Sequence, residues 1–130
     1  GKRVLLVDDD IRNIYAMTAL LDEVGLVVTP AKDGVEALEC FARQPFDLVL
    51  MDMAMPRMDG YTATRLLKEE HNCRVPVVAL TAHAMKGDRE KCITAGADDY
   101  LAKPVSRQAL LEHLHRWLSG APEPLQQAQG

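Results

Sequence analysis

Four polar positions in this sequence sit where chemistry is easily arranged. An acidic triplet, Asp8, Asp9 and Asp10, ends the run RVLLV; Asp52 ends LVLM; Thr81 ends VVAL; Lys103 ends DYLA. Each follows a short apolar run, so each marks a place where a buried segment meets solvent. Carboxylates crowded at one partly buried edge repel one another unless a cation joins them. Oxygen-only ligands, with positions left over for water, suit a hard ion, Mg²⁺ before Zn²⁺. A hydroxyl and an ammonium beside that ion would hold phosphoryl oxygens. One carboxylate could then act as a nucleophile and form an acyl phosphate. An aspartate after a strand also commonly caps a helix. Asp10 is open to that reading; the joint set of Asp9, Asp52, Thr81 and Lys103 is much harder to explain by capping.

The elements that must position these residues follow from periodicity. Arg3 to Val7, Leu26 to Thr29, Leu48 to Met51 and Val77 to Leu80 are continuous apolar runs, and Asp99 to Ala102 is a weaker one. Short continuous runs suit strands buried on both faces of a parallel sheet. Helical patterns lie between them. Ile14, Met17, Leu21 and Val24 share one stripe, stopped by Gly25. Asp33 and Glu36 form a capping box before Ala37, Leu38 and Phe41. Thr64 to Glu70 is a third helix, Asp88 to Ala95 a fourth stopped by Gly96, and Ser106 caps a fifth carrying Leu110, Leu111, Leu114 and Leu118. Strands alternating with helices predict a doubly wound parallel α/β sheet of the (βα)5, flavodoxin-like kind. In strand order 2-1-3-4-5, strands 1 and 3 meet at the switch point, where ligands bind outside the carboxyl ends. Every polar strand-end residue then lines that edge.

The composition sets outer bounds. With 130 residues the chain suits one domain. A net charge of -4 makes non-specific binding to nucleic acid or anionic membranes a poor expectation. Cys40, Cys73 and Cys92 are an odd count without a CxxC pair, which fits inert thiols in a reducing cytoplasm. No apolar run is long enough to span a bilayer. The chain opens on Gly1 directly before a strand, so a longer parent is expected. From Ser119 the sequence loses periodicity, which places a domain over residues 1–119 and a flexible tail or linker over 120–130. There is no GxGxxG and no GxxxxGK[ST]. Met51, Met53, Met55 and Met58 read as core and loop packing, and Trp117 as a closure of the core under the last helix. His113 and His115 stand two apart on a helix and face different ways, which argues against a shared metal.

VLLVDDD, LVLMDMAMPRMDG, VVALTAHA and DDYLAKPV, in this order and spacing, resemble the receiver domains of two-component response regulators over Lys2 to about Ser119. AHAMKGDREKC and IRNIY are most similar to receivers attached to hybrid sensor histidine kinases. The resemblance implies that Asp52 is the phosphoacceptor. It implies that Asp8, Asp9, Asp52 and the carbonyl of Ala54 hold Mg²⁺, with Mn²⁺ a possible substitute. Thr81, the N–H of Ala82 and Lys103 would contact the phosphoryl group, and Lys103–Pro104 would be a cis peptide. Tyr100 would be the rotameric partner of Thr81, reshaping the face built from helix 4, strand 5 and helix 5. Ala54 and His83 would modulate the lifetime of the acyl phosphate.

The implied partner is a histidine kinase or a histidine phosphotransfer domain, with no nucleic acid, no membrane insertion, and a monomer or weak dimer. The domain would assist its own phosphorylation and dephosphorylation without being a kinase, in the cytoplasm, on a parent kinase that can itself be membrane-anchored. Other readings stay open. They are a stand-alone regulator, a phosphorylation-independent adaptor, an aspartyl-phosphate phosphohydrolase (which would want an acid where Ala54 stands) and, more distantly, an FMN-binding flavodoxin-like protein.

Overall fold

The computed structural model describes residues 2–53, 58–70, 74–81, 86–103 and 105–118. The chain alternates β1 (Arg3–Val7), α1 (Ile11–Glu23), β2 (Val27–Ala31), α2 (Gly34–Arg43), β3 (Leu48–Asp52), α3 (Gly60–Glu69), β4 (Val77–Thr81), α4 (Lys86–Ala95), β5 (Asp99–Ala102) and α5 (Arg107–Leu118). All strand pairs are parallel, in the order β2-β1-β3-β4-β5. The expected fold is therefore the observed one; the expected boundary at 119/120 lies outside the described residues.

The unbroken apolar runs have a simple cause: the sheet is covered on both sides. Leu5, Val7, Val49, Met51, Val77 and Ala79 pack against Ala37 and Cys40 of α2, Ala63 and Leu67 of α3, and Cys92 of α4. The residues between them, Val4, Leu6, Leu48, Leu50, Val78 and Leu80, pack against Leu21 of α1 and Leu110 and Leu114 of α5. Because strand side chains alternate, a two-sided core demands an apolar residue at every position. Met51 and Met53 are buried and Met58 packs against the core, as the packing reading expected; Met55 lies outside the described residues. Cys40 and Cys92 are buried in the core, and Cys73 lies outside the described residues.

Side-chain caps set the helix starts. Asp10 accepts the Arg12 N–H at 2.9 Å, Asp33 the Glu36 N–H at 2.8 Å, Asp59 the Thr62 N–H at 2.8 Å, and Ser106 the Ala109 N–H at 3.1 Å. The box at α2 closes one residue early, with Glu36 accepting from Lys32 N–H at 2.9 Å rather than from the cap itself. The Asp59 cap corrects the expected start of α3 from Thr64 to Gly60. α4 also starts earlier than expected, at Lys86 instead of Asp88. Gly25 and Gly96 end their helices at φ +86° and +111°, where a side chain would be strained. Val24, expected on the buried stripe of α1, is instead its C-cap and 44% exposed.

β2 runs two residues beyond the expected Thr29 and includes Pro30. Val27 donates to Lys2 and Asp8 donates to Ala31, so the odd-numbered residues turn their backbone toward β1. Pro30 therefore turns its nitrogen outward, where no ladder bond is lost.

At the other edge, Asp99 fastens β5 to the end of α5. Its Oδ2 accepts from Trp117 Nε1 at 3.0 Å and Arg116 at 3.2 Å, with His113 Nε2 at 3.4 Å. Its Oδ1 accepts from Tyr100 N–H at 2.8 Å. Trp117 does help close the core, and it also anchors the strand. His113 points in while His115 is exposed, so the two share no site.

Gly60 is the tightest joint in the fold. A Cβ there would lie 2.6 Å from Met53 Cα and 2.9 Å from the Asp52 carbonyl carbon. Gly60→Ala is expected to lower stability by about 2–3 kcal/mol, because backbone must move to admit it. A urea midpoint equal to that of the wild type would contradict this account of the β3–α3 approach.

Candidate functional site

The strand register brings the polar strand-end residues together. Val7 pairs with Met51, Asp52 with Leu80 and Thr81 with Ala102. Asp8, Asp52, Thr81 and Lys103 consequently share the carboxyl edge at the point where strand order reverses. Backbone bonds hold the ends level: Asp8 N–H donates to Ala31 at 3.0 Å, Met53 N–H to Leu80 at 3.0 Å, and Lys103 N–H to Thr81 at 2.7 Å.

Burial then differentiates the aspartates. Asp8 is 0% and Asp52 3% exposed, while Asp9 is open to solvent. Asp10 belongs to the helix, as the capping reading had it. The Arg12 backbone N–H donated to Asp10 holds its carboxyl below the usual carboxylate range. Asp10 in turn donates its own N–H to Asp8 Oδ1 at 2.9 Å, which orients the buried carboxylate. Lys103 Nζ lies 3.2 Å from Asp52 Oδ1 and 3.5 Å from Asp8 Oδ2.

Asp8, Asp9 and Asp52 each present a carboxylate oxygen within 4.8 Å of the others. Asp8 Oδ2 is buried without a hydrogen-bond partner. Among the described residues the Lys103 ammonium balances this crowd only in part, and burial makes the remaining charge costly. The donors are all hard oxygens and the open side is wet, so the set fits Mg²⁺. The Lys103 ammonium stands beside the Asp52 carboxylate, and Thr81 ends the neighbouring strand β4 at the same edge.

Tyr100 is half-buried against the core on β5, with the Arg89 guanidinium of α4 5.8 Å from its ring centroid. Lys91 similarly stands 4.9 Å from the ring of Tyr61 on α3. Ala54, Ala82, His83 and Pro104 lie outside the described residues.

Sequence reasoning missed other features near the site. Ile11 and Tyr15, at the start of α1, are 77% and 81% exposed. Their i, i+4 spacing, off the Ile14–Met17–Leu21 stripe, was the available signal. The Asp99 anchor had no signal, because its partners are contributed by α5.

The description of the family model that matches residues 4–115 is a response regulator receiver domain. The chain is 40% identical over 119 residues to a sensor histidine kinase, GacS, of Pseudomonas protegens; the match covers 88% of this chain and 13% of that protein. The chain thus spans about 13% of the length of that relative. Among solved structures it is similar to the receiver domain of the sensor histidine kinase PA1611 of Pseudomonas aeruginosa, which has magnesium coordinated in its active-site cleft. The TM-score is 0.83 and the identity 45%, over 92% of this chain and 98% of that one. It is also similar to a Saccharomyces cerevisiae complex of the histidine phosphotransfer protein Ypd1 with the receiver domain of Ssk1. There the TM-score is 0.85 and the identity 29%, over 90% of this chain and 88% of that one.

If three carboxylates outweigh one ammonium at this edge, Asp8→Asn should stabilise the metal-free protein by about 1 kcal/mol. The same change should remove most of the stabilisation that added Mg²⁺ gives the wild type. Urea unfolding with and without Mg²⁺ reads both effects; a variant that gains nothing, or responds to Mg²⁺ as the wild type does, contradicts the charge balance.

Proposed function

The chain belongs to the response regulator receiver domain family, and from that membership we propose that Asp52 is its phosphoacceptor, taking a phosphoryl group from a phosphohistidine on a partner protein. The observation that carries this reading is the position of Asp52. It is a nearly buried carboxylate at the switch point, 3.2 Å from Lys103 and clustered with Asp8 and Asp9.

The chemistry divides among these groups. A carboxylate oxygen of Asp52 attacks phosphorus; the new O–P bond forms as the P–N bond breaks, and the electron pair returns to the imidazole. Lys103, 3.2 Å from the Asp52 carboxylate, turns to the incoming phosphoryl oxygens. The Thr81 hydroxyl and the Ala82 N–H take the remaining oxygens. Asp8, Asp9, Asp52 and the Ala54 carbonyl would hold Mg²⁺, with Mn²⁺ a substitute, and the ion when bound supplies charge neutralisation on the transferring oxygens. Thr81, drawn to the phosphoryl group, vacates room for Tyr100, which leaves its place beneath Arg89 and changes the α4–β5–α5 face. Ala54 and His83 tune how water reaches the acyl phosphate.

The donor is a histidine kinase or a histidine phosphotransfer domain, as the Ypd1–Ssk1 pairing supports. The domain works on the cytoplasmic side of a hybrid kinase, as a monomer or weak dimer, and the kinase relative supports that origin. Among the described residues no helix is long and apolar enough to cross a membrane. Ile11 and Tyr15 offer an exposed apolar foothold beside the site, suited to a partner that must bring its histidine to Asp52.

Incubation with a phosphorylated histidine phosphotransfer domain and Mg²⁺ should add one phosphoryl mass to the wild type and none to Asp52→Asn. Equal labelling of the two would refute the assignment. Tyr15→Glu should slow transfer from the protein donor about tenfold or more, while labelling by acetyl phosphate stays within about twofold. A parallel loss with both donors would count against docking on α1.

A further inference from the structure

Between α1 and the segment that follows β5 lies a cavity of about 390 Å³, lined by Asp8, Asn13, Ala16, Met17, Lys103 and Val105. Ala16, Met17 and Val105 contribute apolar side chains. Three polar groups meet the same space. Asp8 is fully buried and its Oδ2 has no hydrogen-bond partner. Lys103 Nζ stands 3.5 Å from that oxygen, too far for a good hydrogen bond, and leans instead toward Asp52 at 3.2 Å. Asn13, half-buried in the first turn of α1, brings an amide that both donates and accepts. That turn is held in place by the Asp10 cap, and Asp10 also orients Asp8.

The cavity is polar at one end and roomy. A buried water makes about three hydrogen bonds to groups that otherwise lack them. Asp8, Lys103 and Asn13 all line this one cavity, and each carries a group able to bond such a water. We propose that Asn13 is a positioning residue for phosphoryl transfer: through a water shared with Asp8 Oδ2 it steadies Lys103, so that the ammonium stays directed at Asp52. The inference rests on the reading of Asp52 as phosphoacceptor. In this proposal Asn13 acts through Lys103, which counters charge as it develops in transfer. Its loss should therefore lower the maximal rate rather than the capture of a donor.

The test uses phosphoramidate, a small donor that needs no docking on α1, with saturating Mg²⁺ and mass detection of the adduct. Asn13→Ala removes the amide. Asn13→Leu also fills the cavity and displaces the water, without weakening α1. Both variants should label about three- to tenfold more slowly at saturating donor, the value of one hydrogen bond. The donor concentration for half-maximal rate should be unchanged, and Asn13→Leu should unfold in urea no earlier than the wild type. Wild-type maximal rates in Asn13→Leu would overturn the proposal. So would a defect confined to half-saturation, or one that tracks loss of folded protein. The Asp52→Asn control separates the two levels: if the wild type takes no label that this change removes, the phosphoacceptor reading itself has failed.

Discussion

Asp8 and Asp52 are buried carboxylates whose oxygens come within 4.8 Å of each other and of Asp9. A fold would ordinarily avoid such an arrangement, because like charges removed from water are costly. Here the parallel register imposes it. Each strand delivers its last residue to the same edge, where the ladder pairs Val7 with Met51, Asp52 with Leu80 and Thr81 with Ala102. Lys103 offsets part of the excess and the rest is left for a divalent cation. The net charge of -4, unremarkable over the chain, is thus less important than where three of the acids fall. Activity and stability are coupled at this edge, since the groups that would hold the ion and the phosphoryl group are those whose repulsion the metal-free protein must bear.

Away from that edge, restraint is uneven. β1, β3 and β4 carry almost entirely buried residues. On α4, Cys92 inserts into the core, while Arg89 and Lys91 stand over the rings of Tyr100 and Tyr61. Cation–π contacts at exposed sites contribute about 0.5–1 kcal/mol each. These two contacts can be exchanged at small cost, whereas β5 is tied to α5 through Asp99. A buried sheet beside a helix that meets the proposed switch residue through a cation–π contact is a sound construction for a two-state device.

Much of this was legible in the sequence, for a definite reason. Continuous apolar runs occur when both sheet faces are covered, so the runs identified the strands, and their polar ends identified the site. Asp33, Ser106, Gly25 and Gly96 marked element ends because capping and left-handed backbone depend on residue type. The start of α3 was misjudged because the cap at Asp59 precedes the apolar stripe by several residues. The extent of β2 was misjudged because Pro30 reads as a breaker unless it is known to lie on an edge. The capping role of Asp10 was legible, but the burial of Asp8 beside an exposed Asp9 was beyond reach, since identical side chains in a row differ only in what surrounds them. The Asp99 anchor and the cavity at Asn13 were equally invisible, as both join α-helical side chains to groups distant in sequence.

Pro30 has a consequence for how copies of this domain meet. Among the described residues β2 is an edge strand, and its outward backbone would be a template for a strand from another molecule. At residue 30 that edge lacks a donor, and the rigid ring stands where an incoming chain would have to pair. Edge-to-edge sheet extension, the first step of aggregation for an open sheet, is blunted on this side by a single residue. Domains of this kind can thus be held close together on larger assemblies without their sheets fusing.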